Sequence, residues 1–197
     1  MPRPVAVAIT GGIGAGKSEA LAAFARHGAA TVSSDEIVHH LLREDAEVRR
    51  ALVARLGNGI VAPDGSIDRG SVAQIVFRDR ELLDWLEELL HPRVSAEYLR
   101  WREALAELPQ PPHVCVTEVP LLYESGGESR FDKVIVITAP RKLRESRADM
   151  VLGADRERRL LPDAEKAKRA DYVYVNTGDL DELDEFVAGV MRELDGA

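Results

Sequence analysis

Cysteine, surplus basic charge and long apolar runs are all scarce in this chain of 197 residues. The single cysteine, Cys115, excludes an internal disulfide framework and any metal site built from several thiolates. Apolar runs stop at strand length, so no segment reads as a bilayer span. A formal net charge of −8 argues against a nucleic-acid surface, which normally presents a basic stripe. Internal repeats and low-complexity tracts are absent. Met1-Pro2-Arg3-Pro4 leads directly into a β-branched run, without the pattern of a signal peptide. There is no Asn-Lys-x-Asp motif for reading guanine, and no Asp-x-x-Gly after the third strand, which argues against a regulatory GTPase. What remains is 45% hydrophobic and 30% charged, long enough for one α/β domain with insertions. A cytoplasmic, monomeric protein is expected.

Against these absences stands one dense motif. Val5 to Thr10 forms a short β-branched run, followed by Gly11, four residues, and then Gly16-Lys17-Ser18. That spacing is the one a phosphate-binding loop requires. Backbone N–H groups of Gly12, Ile13, Gly14, Ala15 and Gly16 can turn inward on a polyphosphate, Lys17 can reach its terminal phosphates, and the Ser18 hydroxyl can ligate Mg²⁺. A helix starting near Ser18 would aim its N-terminus at the anion. The motif's place, after a strand and before an Ala/Leu-rich helix, points to a nucleoside-triphosphate site.

Five strands are expected, at about 5–10, 30–34, 113–118, 133–138 and 172–176. They are Val/Ile runs without polar alternation, the mark of a parallel sheet covered on both faces. Asp35 follows the second strand, where open parallel sheets bind ligands, and can equally cap the next helix. Apolar spacing predicts one helix over Glu36–Leu56, another over Ser71–Phe77 and a long one from Glu81 to about Leu108. This block exceeds what a plain crossover needs and reads as a helical insertion. Residues 141–169 hold ten Lys/Arg against six Asp/Glu, a basic island in an acidic chain. It is either a solvated helical face or a place where an anion is held.

The chain resembles the dephospho-coenzyme A kinase family nearly end to end. The resemblance runs through Thr10 to Ser18, Ser34-Asp35-Glu36-Ile37-Val38-His39 and Asp64-Gly65-Ser66-Ile67-Asp68-Arg69. It continues through Ile75-Val76-Phe77, Leu90-His91-Pro92, Pro120-Leu121-Leu122-Tyr123-Glu124, Glu165-Lys166, Ala170-Asp171 and Asn176-Thr177-Gly178. It implies a three-layer α/β/α P-loop NTPase fold with a five-stranded parallel sheet. The nucleotide core would comprise 1–35, 109–140 and 170–197, with a substrate-binding insertion at 36–108 and an Arg-rich lid at 141–169. The implied reaction uses ATP and Mg²⁺ to phosphorylate the ribose 3′-hydroxyl of dephospho-CoA. Asp35 would take the hydroxyl proton, while Lys17 and Arg147 neutralise the transferring phosphoryl. Arg144 and Asn176 would contact the nucleotide, Asn176 beside adenine. His39, Arg69, His91, Leu121 and Glu124 would join Asp35 around the acceptor.

Four departures from the family pattern stand out. Glu19 occupies a place where a hydroxyl residue is usual. Glu118 replaces a more usual Asp. Val151 and Leu160 stand where a second Arg and a Gln are usual, leaving Arg144, Arg147 and Arg156 as the candidate lid arginines. The nearest alternative is another small P-loop kinase, acting on a nucleoside monophosphate or a small hydroxylated metabolite.

Overall fold

The computed structural model describes residues 3–147 and 160–196. The chain divides into two compact units, Met1–Ser33 with Arg102–Ala197, and Ser34–Trp101.

The first unit is built on a five-stranded, wholly parallel sheet: β1 (Val5–Thr10), β2 (Ala30–Ser33), β3 (Val114–Glu118), β4 (Lys133–Thr138) and β5 (Tyr172–Val175), in spatial order β2-β3-β1-β4-β5. All five strands lie where the Val/Ile runs predict them. Burial on both faces is what makes such runs continuous rather than alternating. Ile9 pairs with Glu118 on one side and Ile135 on the other, so β1 sits at the centre of the sheet. One face is covered by α1 (Lys17–Arg26) and the C-terminal helix α8 (Leu180–Asp195), which bury Ala20, Ala23 and Phe24 against Leu183, Val187 and Met191. The opposite face is closed by Leu122 and Tyr123, with Val119, Phe131, Leu161 and Ala170 packed around them.

Two aspartates finish the sheet at the end away from the glycine loop. Asp132 accepts from the Ala6 amide at 2.9 Å and Asp171 from the Val134 amide at 2.8 Å. The Ala170-Asp171 pair singled out in the sequence thus secures an orphan backbone donor at a strand start. Cys115 is buried in β3, and desolvation pushes its thiol up to about 11, so it is an inert packing residue.

The second unit is helical, with its own core of Leu42, Val48, Leu52, Ile60, Val72 and Leu90. Its elements are α2 (Ser34–Glu44), α3 (Ala46–Leu56), α4 (Arg69–Val76) and most of α5 (Arg80–Ala106). The single helix expected over 36–56 is two. Asp45 takes an extended conformation, and its carboxylate accepts from the Glu47 and Val48 amides at 2.8 and 3.0 Å, capping α3. The apolar spacing continues through the break, so periodicity alone conceals it; a short carboxylate competing for backbone amides creates it.

Asp45→Ala is expected to destabilise the protein by about 1 kcal/mol at neutral pH. The Val48 amide, aided by the Glu47 amide and Arg93, holds the Asp45 carboxyl below its usual range. The stability it contributes is therefore present above the ordinary aspartate pKa of about 4 and lost as pH falls through the lower folded-state value. Urea unfolding should show the gap between wild type and variant at pH 7 narrowing in strong acid.

Candidate active site

The chain leaves β1 at Thr10, turns through four loop glycines and enters α1. Gly16 caps that helix in the left-handed conformation (φ 98°, ψ 24°) and has no side chain to bond the first amides of α1. The helix start thus offers backbone N–H donors and the positive end of its dipole, the arrangement that binds phosphate. Lys17 folds back over the loop, its Nζ donating to the Gly12 carbonyl at 3.0 Å. Ser18 Oγ donates to Glu118 Oε2 at 3.1 Å. Glu118 is buried where β3 ends, one strand over from the loop.

A hydroxyl and a carboxylate at this spot are hard oxygen donors of the kind Mg²⁺ prefers, and one carboxylate suits an ion that keeps most of its waters. Glu118 is the functional candidate that the metal assignment in the sequence, Ser18 alone, leaves out. The signal was an acid ending a buried strand, weak until the sheet order placed that strand beside β1.

Arg144 and Arg147, two of the three candidate arginines, lie against the loop. A Cβ on Gly12 would come within 2.9 Å of Arg144 Nη1, and one on Gly14 within 2.8 Å of the Arg144 carbonyl. Arg147 Nη1 stands 3.6 Å from the corresponding point on Gly16, and its Nη2 stands 3.7 Å from that on Gly178. Both arginines come from α6 (Arg141–Arg147), which starts just past the C-terminal end of β4. Arg156 and Val151 lie outside the described residues.

Asn176 is buried at the end of β5, and its side chain faces the loop rather than open space. Its Nδ2 donates to the Ala15 carbonyl at 2.9 Å, and its Oδ1 accepts from the Gly178 amide at 2.8 Å.

Glu19, an acid at the start of α1, is exposed and pairs with Arg26 at 3.4 Å, about two turns along α1. Arg26 in turn reaches Asp184 of α8 at 3.1 Å. The acid therefore belongs to a surface network tying two helices together.

The Pro-Leu-Leu-Tyr-Glu motif serves largely as an anchor. Leu122 and Tyr123 are core residues, and Leu121 is half-buried beside them. Glu124 Oε1 accepts from the Leu161 amide at 2.8 Å and pairs at 2.9 Å with the fully buried Lys166 of α7 (Asp163–Ala167). Arg169 stacks over the Tyr123 ring at 4.3 Å and pairs with Glu128. Glu124, assigned from the resemblance to the acceptor, thus holds the C-terminal root of the Arg-rich segment. A buried pair of this kind must stay matched, since either charge alone would be costly to bury.

In the helical unit, Asp35 is the second residue of α2, two residues past the end of β2. Asp35, Glu36, His39, His40, Arg43 and Arg69 line a cavity of about 320 Å³. Three of the six acceptor candidates, Asp35, His39 and Arg69, are thereby brought together. Arg69 Nη1 lies 2.8 Å from His39 Nδ1. An arginine only donates, so Nδ1 is the acceptor and the imidazole proton sits on Nε2. Asp68 caps α4, accepting from the Gly70 amide at 2.9 Å and from Ser71 Oγ at 2.6 Å. His91 lies exposed on α5 beside Pro92 and is not among the residues lining this cavity. A larger hollow of about 530 Å³ in the same unit is lined by Arg49, Arg50, Val53 and Val61. Arg49 there is already bonded to the Arg43 and Gly65 carbonyls, at 3.1 and 2.6 Å, leaving it less able to grip an anion.

A parallel sheet whose central strand delivers a glycine loop, a lysine and a serine into the start of a helix defines a P-loop nucleotide-binding protein. Comparison with known proteins narrows the class. A family model described as dephospho-CoA kinase matches residues 5–182. The dephospho-CoA kinase of Protochlamydia amoebophila (strain UWE25) is 37% identical over 199 residues, covering 95% of each chain. A Thermus thermophilus crystal structure superposes with a TM-score of 0.76 at 32% identity, over 98% of this chain and 99% of that one. The dephospho-CoA kinase structure from Campylobacter jejuni shares the fold, with a TM-score of 0.68 at 24% identity and 96% coverage of both chains. The chain belongs to the dephospho-CoA kinase family.

Proposed function

We propose that this protein transfers the γ-phosphoryl group of ATP to the ribose 3′-hydroxyl of dephospho-CoA, forming CoA and ADP. The observation that carries the reading is the loop itself: the α1 N-terminus flanked by Lys17, by the Ser18–Glu118 pair and by the Arg144 and Arg147 side chains, in a chain of this family.

Each group has a part in a balanced transfer. The loop amides and Lys17 hold the β- and γ-phosphates. Ser18 and Glu118 would hold Mg²⁺, directly or through its waters; when bound, the ion neutralises charge on the phosphate oxygens. The 3′-oxygen forms the new bond to the γ-phosphorus as the bond to the bridging β–γ oxygen breaks, and ADP departs with those electrons. The hydroxyl proton passes to Asp35. A carboxylate suffices because the transition state is loose and the proton leaves late. Arg144 and Arg147 meet the negative charge as it shifts among the transferring oxygens. His39, fixed by Arg69 with its proton on Nε2, offers a donor to the acceptor nucleotide. With Nδ1 accepting from Arg69 and Nε2 protonated, His39 has no free lone pair to act as base, which leaves that part to Asp35. A lid over 141–169, of which residues 148–159 lie outside the described residues, would limit hydrolysis of ATP. The enzyme works in the cytoplasm on small molecules.

The test is ADP release measured with dephospho-CoA, AMP, CMP and shikimate offered separately. Turnover with dephospho-CoA alone is expected. Phosphorylation of AMP without dephospho-CoA turnover would overturn the reading.

A further inference from the structure

Asn176 occupies a place from which it can act on the triphosphate without touching it. It is 5% exposed, and both ends of its amide are bonded to backbone, Nδ2 to the Ala15 carbonyl and Oδ1 to the Gly178 amide. The bond to Ala15 has a consequence one atom further along the chain. In a trans peptide the carbonyl and the following N–H point in opposite directions. With the Ala15 oxygen drawn toward Asn176, the Gly16 N–H is turned away from Asn176.

Gly16 is interlocked with the same side chain. A Cβ there would lie 2.2 Å from Asn176 Nδ2, and the residue's φ of 98° belongs to the left-handed region that side chains disfavour. The contact and the conformation both require glycine.

We infer that Asn176 is a positioning residue for the phosphate loop, setting the orientation of the Ala15–Gly16 peptide and hence one of the donors to the polyphosphate, rather than a reader of adenine. The inference rests on the reading that this loop binds the triphosphate of ATP. It assigns nucleotide affinity, independent of the base, to a residue at the end of the edge strand.

Inorganic tripolyphosphate carries the charge of the triphosphate and no base, so it separates the two roles. In Asn176→Asp the donor to Ala15 becomes an oxygen facing an oxygen, while the acceptor for Gly178 remains. Affinity for tripolyphosphate, ATP and GTP should fall together by roughly tenfold or more, as expected for an unmade buried hydrogen bond. The KM for dephospho-CoA should stay near its wild-type value. Asn176→Ala, which removes both bonds without adding charge, should move all three affinities in the same direction. Loss of ATP affinity with tripolyphosphate unmoved would assign the residue to adenine and overturn the inference. So would a lowered unfolding midpoint with normal tripolyphosphate affinity, since that marks packing alone. Should neither variant fold, the unmodified protein still decides. The Asn176 side-chain amide resonances should be exchange-protected and respond alike to tripolyphosphate and ATP; a response confined to ATP overturns the inference. Wild-type protein that binds neither compound would instead sink the nucleotide reading of the loop.

Discussion

Asp35→Asn is expected to leave ATP binding nearly intact while lowering kcat for dephospho-CoA by about 10²–10⁴-fold, the range that a positioned general base contributes. The substitution keeps the shape of the side chain and removes its capacity to accept the hydroxyl proton. Its effect on folding should be small. Asp35 and Glu36 both lie in the first turn of α2, so losing one charge forfeits about 0.3–1 kcal/mol of interaction with the helix dipole. Rescue by His39 is not expected, because its Nδ1 already faces the Arg69 guanidinium at 2.8 Å. Single-turnover assays with saturating ATP, alongside direct measurement of ATP affinity, separate the alternatives. A variant that turns over normally once ATP is saturating would show Asp35 to act only as a first-turn charge of α2 or in the metal's surroundings.

Lys17→Ala should lower kcat by about 10²-fold or more, since it deletes a preorganised cation where charge develops in the transition state. Lys17 also spans the loop through its 3.0 Å bond to the Gly12 carbonyl, so ATP affinity should fall as well. The joint loss distinguishes it from Asp35→Asn, where chemistry suffers and nucleotide binding does not. Lys17→Arg restores a charge on a wider, planar head that cannot take the same place over the loop, and only partial recovery is expected. Near-normal turnover by the alanine variant would remove Lys17 from the mechanism.

The parts of this molecule that could be read from sequence are those whose physics is local. Strands buried on both faces advertise themselves as Val/Ile runs, and all five were legible. The loop was legible because its glycine spacing is dictated by phosphate geometry. The α2–α3 break was hidden because the apolar period passes through it; only the Asp45 carboxylate marks it.

Roles that depend on distant partners stayed out of reach. Asn176 meets Ala15 across 161 positions, and Leu161 meets Glu124 across 37. Nothing in either neighbourhood states that the partner will be a loop carbonyl in one case and a buried lysine's companion in the other. Glu19 looked anomalous beside a polyphosphate until Arg26, and behind it Asp184, supplied its reason for being there.

Three of the loop's glycines are each hemmed in by a different part of the fold: Gly11 by the Ile137 carbonyl of β4, Gly14 by the Arg144 backbone of α6, and Gly16 by the Asn176 side chain beyond β5. The motif is therefore not a portable cassette. Transplanted into another strand–helix junction, the same eight letters would arrive without the surrounding mould that shapes them, and a designer would have to carry over three remote elements to recover the cradle.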